Sequence, residues 1–275
     1  MHDEVHGFGA PQCVKDLQGL QQPVKFRLGL SATPEREYDQ AGSKFVEQEI
    51  GPVVYRFGLK EAIERGILVE FDYVPLDYAL TADDKKRLAT VYSKKAARQK
   101  EGKPMSNEEL WTELSRVYKT AEEKPYVFAD YLSRHADLVK GAIIFVEERW
   151  YGDLILPMLD RHTHLYRTYY AEDDRDNLVR FAKGEIDCLV TCHRISQGID
   201  IQALRTVVLL SSARARLETI QRIGRCLRMD PTHPDKRARV VDFVRRSDPT
   251  DDSPENSDEA RASWLSELAQ VKRKE

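Results

Sequence analysis

The sequence contains few cysteines and no long apolar run. Its four cysteines, among 275 residues, are too few and too scattered for a disulfide framework. Cys188 and Cys192 are close in sequence, but Cys188 lies in an apolar strand pattern and no second Cys/His pair has zinc-finger spacing, so we interpret both as structural thiols. No apolar run approaches the roughly 20 residues of a membrane span, and residues 1–6 lack the basic-then-apolar order of a secretory signal. By elimination, we expect a cytoplasmic protein, or a nuclear one in a eukaryote.

The chain lacks an overall positive charge, since its formal net charge is −3, yet basic residues are concentrated in one segment. Residues 205–246 contain eleven basic and four acidic residues, whereas residues 248–259 contain six acidic residues and no basic one. Any contact with phosphates should therefore be confined to one face of the molecule. A solvated helix surface explains the same charge at least as well.

The order of apolar runs predicts an α/β fold. Patterns typical of buried strands occur at 141–146, 187–191, 206–210 and 238–243, with further candidates at 25–30, 53–55 and 68–76. Helical patterns lie between them, at 59–65, 149–159, 174–183 and 217–227. Strands that alternate with helices indicate a parallel sheet with helices on both faces.

Two other regions have a different composition. Residues 81–135 are charged, rich in Lys, Glu and Ala, and helical in period, which predicts a helical insertion with a polar loop near 100–106. The acidic stretch 248–258 should be disordered, and residues 260–271 should form a final amphipathic helix.

Two short motifs near the N-terminus suggest chemistry but are weak by themselves. Asp3 and Glu4 are adjacent carboxylates, and such a pair can hold a magnesium ion and polarise the water that attacks a phosphoryl group. Acidic pairs are nevertheless common on surfaces. Ser31 and Thr33 follow an apolar run, but a hydroxyl-bearing turn is more often a helix cap than a coupling element.

Two downstream motifs are more specific. Thr191 to Asp200 follow a buried strand, where parallel sheets place ligands. There Thr191 and exposed backbone amides can bind a nucleic-acid phosphate, Gly198 permits a conformation that other residues resist, and Asp200 can accept a hydrogen bond from ribose. Arg225 and Arg228 are spaced i, i+3 on one helix face, and their guanidinium groups suit a transferring γ-phosphoryl group. Ordinary surface arginines are the alternative.

The order of five motifs identifies a family. The segments that carry the resemblance are D-E-V-H at 3–6, S-A-T at 31–33, the apolar strand 143–146, T-x6-G-I-D at 191–200 and Q-x-x-G-R-x-x-R at 221–228. They resemble motifs II, III, IV, V and VI of superfamily 2 DEAD/DEAH-type helicases over about residues 1–245. The DEVH box, residues 28–36 and residues 61–69 are most similar to the XPB-like, UvrB-like and restriction-translocase branch.

This resemblance implies two RecA-like domains with ATP and Mg²⁺ in the cleft between them. Residues 1–58 would be a remnant of the first domain, residues 59–246 the second domain with the helical insertion, and residues 247–275 an acidic linker and tail helix. The roles carried over are magnesium binding and water activation by Asp3 and Glu4, coupling by His6, Ser31 and Thr33, nucleic-acid contact by Thr191 and Arg194, nucleotide contact by Gly198, Asp200 and Gln221, and arginine fingers at Arg225 and Arg228.

One expected motif is missing from the sequence. None of the 14 glycines opens the Gly-x-Gly-Lys-Ser/Thr type loop that binds phosphates in such motors. We therefore expect a fragment, a truncated reading frame or one half of a split protein, which binds ATP and Mg²⁺ only with the missing half and is inactive alone. The first hypothesis is the C-terminal motor portion of an ATP-dependent DNA helicase or translocase, with DNA preferred over RNA, the N-terminal half or other subunits as partners, and no membrane. The alternative is a non-enzymatic nucleic-acid-binding or interaction module that uses Arg225 and Arg228 only as phosphate anchors.

Overall fold

Strands between residues 71 and 245 form one parallel sheet. The computed structural model describes residues 1–21, 23–31, 39–192, 201, 203–211, 216–246 and 257–274. Its strands are β1 (Phe71–Tyr78), β2 (Ala142–Phe145), β3 (Tyr166–Thr168), β4 (Cys188–Thr191), β5 (Thr206–Leu209) and β6 (Ala238–Arg245). Their order is β1-β6-β5-β2-β4-β3, and every neighbouring pair is parallel. The predicted parallel α/β sheet is therefore confirmed.

The helices have the following bounds. The N-terminal ones are a 3-10 helix (Val5–Gly9), α1 (Pro11–Leu17), α2 (Gln40–Glu49) and α3 (Leu59–Glu64). The predicted insertion contains α4 (Ala82–Lys100), α5 (Asn107–Lys119) and α6 (Glu123–Arg134), followed by a 3-10 helix (Ala136–Val139). The remaining ones are α7 (Arg149–Asp153), α8 (Leu156–Asp160), α9 (Asp176–Ala182), α10 (Arg216–Cys226) and α11 (Ser257–Ala269).

Alternate residues of the central strands supply two apolar clusters, one on each face of the sheet. Ile143 and Val207 belong to a cluster that also contains buried residues of α3, α9, α10 and α11. Their neighbours Ile144 and Val208 belong to the other cluster, which contains buried residues of α6, α7 and α8. Because side chains alternate along a strand, this division shows that helices cover both faces.

Residues 81–135, predicted to be a helical insertion, are helical, and α4 and α5 begin at strong local signals. Thr81 caps α4 and Ser106 caps α5, each in a capping box with an acidic residue three positions later. Val91, Leu110 and Leu114 form a small cluster of their own, apart from the two clusters on the sheet. The insertion therefore has local sources of stability.

Some sequence-based expectations about the elements are wrong. Residues 25–30 form no strand, and their sheet-like pairing is a single parallel bridge between Gly29 and His2. Residues 53–55 are not a strand either. Residues 149–159 form two short helices, and β3 was not predicted. An apolar run becomes a strand only where a neighbour supplies the other half of the hydrogen bonds.

The C-terminal helix begins earlier than predicted, at Ser257 rather than residue 260. Leu265 and Leu268 of α11 are buried in the same cluster as Ile223 and Cys226 of α10. The acidic stretch predicted to be disordered lies mostly outside the described residues. The three domain boundaries given above stay predictions.

Candidate functional site

The acidic motif lies where the N-terminal segment runs beside residues 28–31. His2 exchanges two backbone hydrogen bonds with Leu28 and Leu30, both of 2.8 Å, and Val5 donates to the Leu30 carbonyl at 2.9 Å. Val5 is buried and fixes the start of the 3-10 helix. Glu4 occupies the left-handed region at φ 48° immediately before that helix, so the backbone turns sharply at the second carboxylate.

Three polar side chains of the two N-terminal motifs are in direct contact. Nδ1 of His6 lies 2.9 Å from Oγ of Ser31 and 3.3 Å from Oε2 of Glu4. The Asp3 carboxylate is exposed and accepts the Glu4 N–H at 2.9 Å. His6 therefore connects the acidic motif to the hydroxyl motif, as the resemblance implies for a coupling residue. Thr33 lies outside the described residues.

The Glu4 carboxylate lies within electrostatic range of the arginine motif. Burial lowers the pKa of Arg225, the neighbouring Arg228 lowers that pKa further, and the Glu4 carboxylate acts in the opposite direction. Because these effects require proximity, Glu4 and the two arginines lie in one region although they are far apart in sequence. The structure thus brings together the first and last of the motifs recognised in the sequence.

Arg228 is not part of the helix that carries Arg225. Helix α10 ends at Cys226, and Arg228 forms an isolated antiparallel bridge with Leu68. The expectation that both arginines lie on one helix face is therefore wrong, because only Arg225 belongs to α10. Their closeness is retained because the chain makes a tight turn, in which the Arg228 N–H points to the Arg225 carbonyl at 3.4 Å.

The other predicted site residues have mixed positions. Gln221 is half-buried on α10. Thr191 is fully buried at the end of β4, and its hydroxyl donates to the Tyr169 carbonyl at 2.7 Å. A contact between this hydroxyl and nucleic acid, which stays a prediction, would have to replace that hydrogen bond. Arg194, Gly198 and Asp200 lie outside the described residues.

Sequence reasoning missed Arg222, which anchors the arginine-bearing helix. Its Nη1 donates to the Ser211 carbonyl at 2.6 Å, and its guanidinium lies 4.5 Å from the centre of the Phe145 ring. Both partners stand at or just after the ends of sheet strands, β5 and β2. The sequence did contain a sign of this role. Arg222 is spaced three residues after Thr219 and four before Cys226, which places it on the same helix face as these two buried residues.

The charges of this region fit a nucleotide and a magnesium ion. Mg²⁺ is commonly held by one or two protein carboxylates together with substrate phosphates, and Asp3 and Glu4 offer such a pair. Arg225 and Arg228 offer two cations for phosphate oxygens. Within the described ranges, no group of three or more His, Cys, Asp or Glu side chains is arranged to hold a metal.

No helix in the described part of the chain is long and apolar enough to cross a bilayer.

The sequence matches known helicase proteins. Residues 124–230 match the helicase conserved C-terminal domain family. The chain is 26% identical over 258 residues to a protein of the Sulfolobus islandicus filamentous virus that bears the name helicase 22, covering 90% of the chain and 42% of that protein. It is 23% identical over 266 residues to the DNA 3'-5' translocase XPB2 of Sulfurisphaera tokodaii, covering 88% of the chain and 57% of the translocase. The chain thus spans about half the length of these relatives.

A solved structure has the same fold. Dbp5 of Saccharomyces cerevisiae, bound to RNA and ADP BeF3, superposes with a TM-score of 0.54 at 14% identity, over 98% of this chain and 56% of Dbp5. This likeness agrees with the parallel sheet and its two helical layers. The fold is that of the RecA-like helicase domains, and residues 124–230 are similar to the helicase conserved C-terminal domain.

Proposed function

We propose that this chain is the C-terminal motor portion of an ATP-dependent DNA helicase or translocase, and that it supplies the arginine-finger side of the ATP site. The observation that carries the proposal is that the Glu4 carboxylate lies within electrostatic range of Arg225 and opposes the lowering of the pKa of that guanidinium by burial and by Arg228. A carboxylate pair beside an arginine pair is the arrangement needed to handle a metal-bound phosphate from two sides. A structural salt bridge would not need the second arginine, which repels the first.

The roles of the side chains follow from their positions. Asp3 and Glu4 would hold Mg²⁺ and orient the attacking water, while Arg225 and Arg228 would bind oxygens of the terminal phosphate. Bound ATP and Mg²⁺ supply the phosphoryl group and the charge neutralisation. The His6–Ser31 hydrogen bond of 2.9 Å would transmit changes at Glu4 to residues 28–31, and Gln221, one turn before Arg225, would approach the nucleotide.

The phosphate-binding side of the site would come from another segment. The 275 residues contain no Gly-x-Gly-Lys-Ser/Thr loop, so this polypeptide has no group of that type to grip the β- and γ-phosphates. Large apolar side chains of the N-terminal 58 residues are exposed, among them Phe26 at 82%, Val54 at 85% and Tyr55 at 69%. Exposed apolar groups of this size mark a surface that another element covers, and we assign them to the remainder of the first motor domain.

DNA is the proposed track. The relative named as a translocase carries DNA in its name, and it matches 88% of this chain. Positive charge is concentrated between residues 205 and 246, and its accessible members would contact phosphates, which carry no base sequence.

ATP hydrolysis tests the proposal. The purified 275-residue chain should show no DNA-stimulated hydrolysis, and hydrolysis should appear when it is joined to a motor segment with a phosphate loop. Arg225→Ala should abolish the restored activity, whereas Arg167→Ala, which removes an exposed arginine on the edge strand β3, should leave it unchanged. Turnover by the chain alone that Arg225→Ala abolishes would refute the two-part site.

The same experiment distinguishes the alternative function. If the joined protein bound DNA but never hydrolysed ATP, a non-enzymatic nucleic-acid-binding module would be the better description. Arg225→Ala would then weaken DNA binding, because the arginine would be a phosphate anchor.

A further inference from the structure

The backbone at Arg228 is held by groups outside α10. The Leu227 carbonyl accepts the Val69 N–H at 2.8 Å. The Arg228 carbonyl accepts a hydrogen bond from the Nζ of Lys236 at 2.9 Å. By comparison, the 3.4 Å contact between the Arg228 N–H and the Arg225 carbonyl is long. The carbonyls of Leu227 and Arg228 are therefore held by donors outside α10, the Val69 N–H and the Lys236 ammonium group.

Lys236 is suited to this position. Its side chain is mostly buried, with the residue 6% exposed, so its ammonium group is largely shielded from solvent. The group lies just past the C-terminus of α10, where the helix dipole favours a cation. A hydrogen bond from a charged donor is shorter and stronger than a neutral one. This contact therefore constrains the Arg228 peptide more tightly than a backbone contact would.

The loop between Arg228 and Lys236 is organised rather than extended. The Asp230 carboxylate accepts from the Thr232 N–H at 2.9 Å and from its hydroxyl at 2.6 Å, and it pairs with His233 at 2.8 Å. The Lys236 N–H then donates to the His233 carbonyl at 3.0 Å. These bonds turn the loop back on itself, so that the lysine returns to the residue at which the loop begins.

A fixed backbone at Arg228 would counter the repulsion between the two arginines. Arg225 and Arg228 repel each other, and the repulsion contributes to the lowered pKa of Arg225. Without a fixed backbone, the exposed Arg228 would relax away from its neighbour. A displacement of a catalytic group by about 1 Å can lower the reaction rate about a hundredfold.

We propose that Lys236 is a positioning residue for Arg228. Its ammonium group holds the Arg228 carbonyl, and the loop of residues 229–236 thereby sets where the second guanidinium points. The catalytic consequence rests on the proposed function, in which Arg228 binds phosphate. The positional consequence concerns the backbone alone and can be measured separately.

Hydrogen exchange in the 275-residue chain tests the positional part. In Lys236→Met, the Val69 amide should exchange at least about tenfold faster than in the wild type, because the Arg228 carbonyl, one residue past the Leu227 carbonyl that accepts the Val69 N–H, is no longer held. Lys236→Arg, which retains a charged donor, should restore most of the protection. Lys140→Met is the matched control, since it removes one exposed charge elsewhere, and the Ile144 amide of β2 should be unaffected in all variants.

Wild-type protection at Val69 in a folded Lys236→Met chain would overturn the proposal. If that variant does not fold, Asp230→Asn provides the second measurement, because it weakens the loop without touching the lysine. Asp230→Asn should accelerate exchange at Val69 but not at Ile144. Equal acceleration at both amides would also overturn the proposal, since it would indicate a general loss of stability.

The catalytic part is tested in the chain joined to a phosphate-loop segment. Lys236→Met should lower kcat by about tenfold to a hundredfold with the KM for ATP nearly unchanged, and Lys236→Arg should recover most of kcat. Combined with Arg228→Ala, Lys236→Met should cause no further loss, so additive losses would contradict positioning. An unchanged kcat in Arg228→Ala would instead overturn the proposed role of that arginine, and exchange at Val69 would still decide whether Lys236 fixes this segment.

Discussion

Removal of the Arg261 guanidinium should destabilise the protein more than removal of most other charged groups. On α11, its Nε lies 2.9 Å from Oδ2 of Asp242, and Nη2 lies 3.0 Å from Oδ1 of Asp258 and 3.1 Å from the Phe243 carbonyl. The exposed side-chain fractions are 5% for Arg261, 0% for Asp242 and 16% for Asp258. One buried cation thus holds two carboxylates from different elements and attaches α11 to β6.

The size of the effect follows from burial. Arg261→Met keeps most of the side-chain volume but leaves two buried carboxylates without their main cation. Breaking a buried ion pair in this way costs about 3–5 kcal/mol. For a chain of this length, each kcal/mol lowers Tm by about 2–4 °C, so the expected decrease is about 10 °C. Arg246 and Asp77 form an exposed pair, 70% and 53% accessible, so Arg246→Met should cost only a small fraction of that amount.

Urea and thermal unfolding of the two variants provide the assay. Adding Asp242→Asn to Arg261→Met should recover part of the lost free energy of unfolding, because it removes one of the uncompensated charges. The reasoning would be refuted if Arg261→Met and Arg246→Met unfolded at the same temperature. It would also be refuted if Asp242→Asn destabilised the Arg261→Met background further.

Three further predictions use other observations. Burial lowers the pKa of Lys124 from its ordinary 10.5 to about 8. The unfolded chain therefore binds more protons than the folded chain between pH 8 and pH 10.5. The charged, buried lysine destabilises the fold below pH 8, and this cost decreases as the pH rises from 8 to 10.5. Lys124→Met should therefore be more stable than the wild type at pH 7, by up to about 3 kcal/mol, and chemical unfolding should show this advantage shrinking above pH 8; an advantage independent of pH would contradict the assignment. DNA binding by the chain should weaken steeply with salt, as fluorescence anisotropy between about 50 and 200 mM salt can show, and an affinity indifferent to salt would exclude phosphate contact. In the joined motor, Arg228→Ala should lower kcat far more than DNA affinity, and equal losses would make it a DNA contact.

The fold was predictable where the sequence records burial directly. The strands β2, β4 and β5 are short and almost wholly apolar runs, because a parallel strand covered on both faces excludes water on both sides. β3 has three half-exposed or exposed residues, including Arg167, and therefore gives no such signal. Residues 25–30 have strand composition but, among the described residues, pair only through one bridge to His2. Composition shows that a segment can form a strand, whereas pairing depends on the neighbours.

The candidate site was predictable only through the resemblance. Periodicity and spacing cannot show that Glu4 lies near Arg225, since that contact depends on how the N-terminal segment packs against the rest. Lys236 carried no signal, because a lysine in a proline-containing loop has the composition of ordinary surface. Its role depends on one hydrogen bond to a backbone carbonyl, and a carbonyl acceptor has no side-chain identity in the sequence.

The pairing of β1 with β6 has a consequence for how the protein is made. All eight residues of β1 are matched in register with β6, which is synthesised more than half the chain later, and the strand order leaves β1 at the edge of the sheet with β6 as its neighbour. At about 5–20 residues per second, β1 waits on the order of ten seconds or more on the ribosome before its partner exists. Phe71 and Tyr78, each 1% exposed in the finished fold, spend that interval without a sheet to cover them. Any chain that terminates before residue 238 would leave this strand permanently unpaired, so nascent and truncated forms should be the ones that aggregate or recruit chaperones.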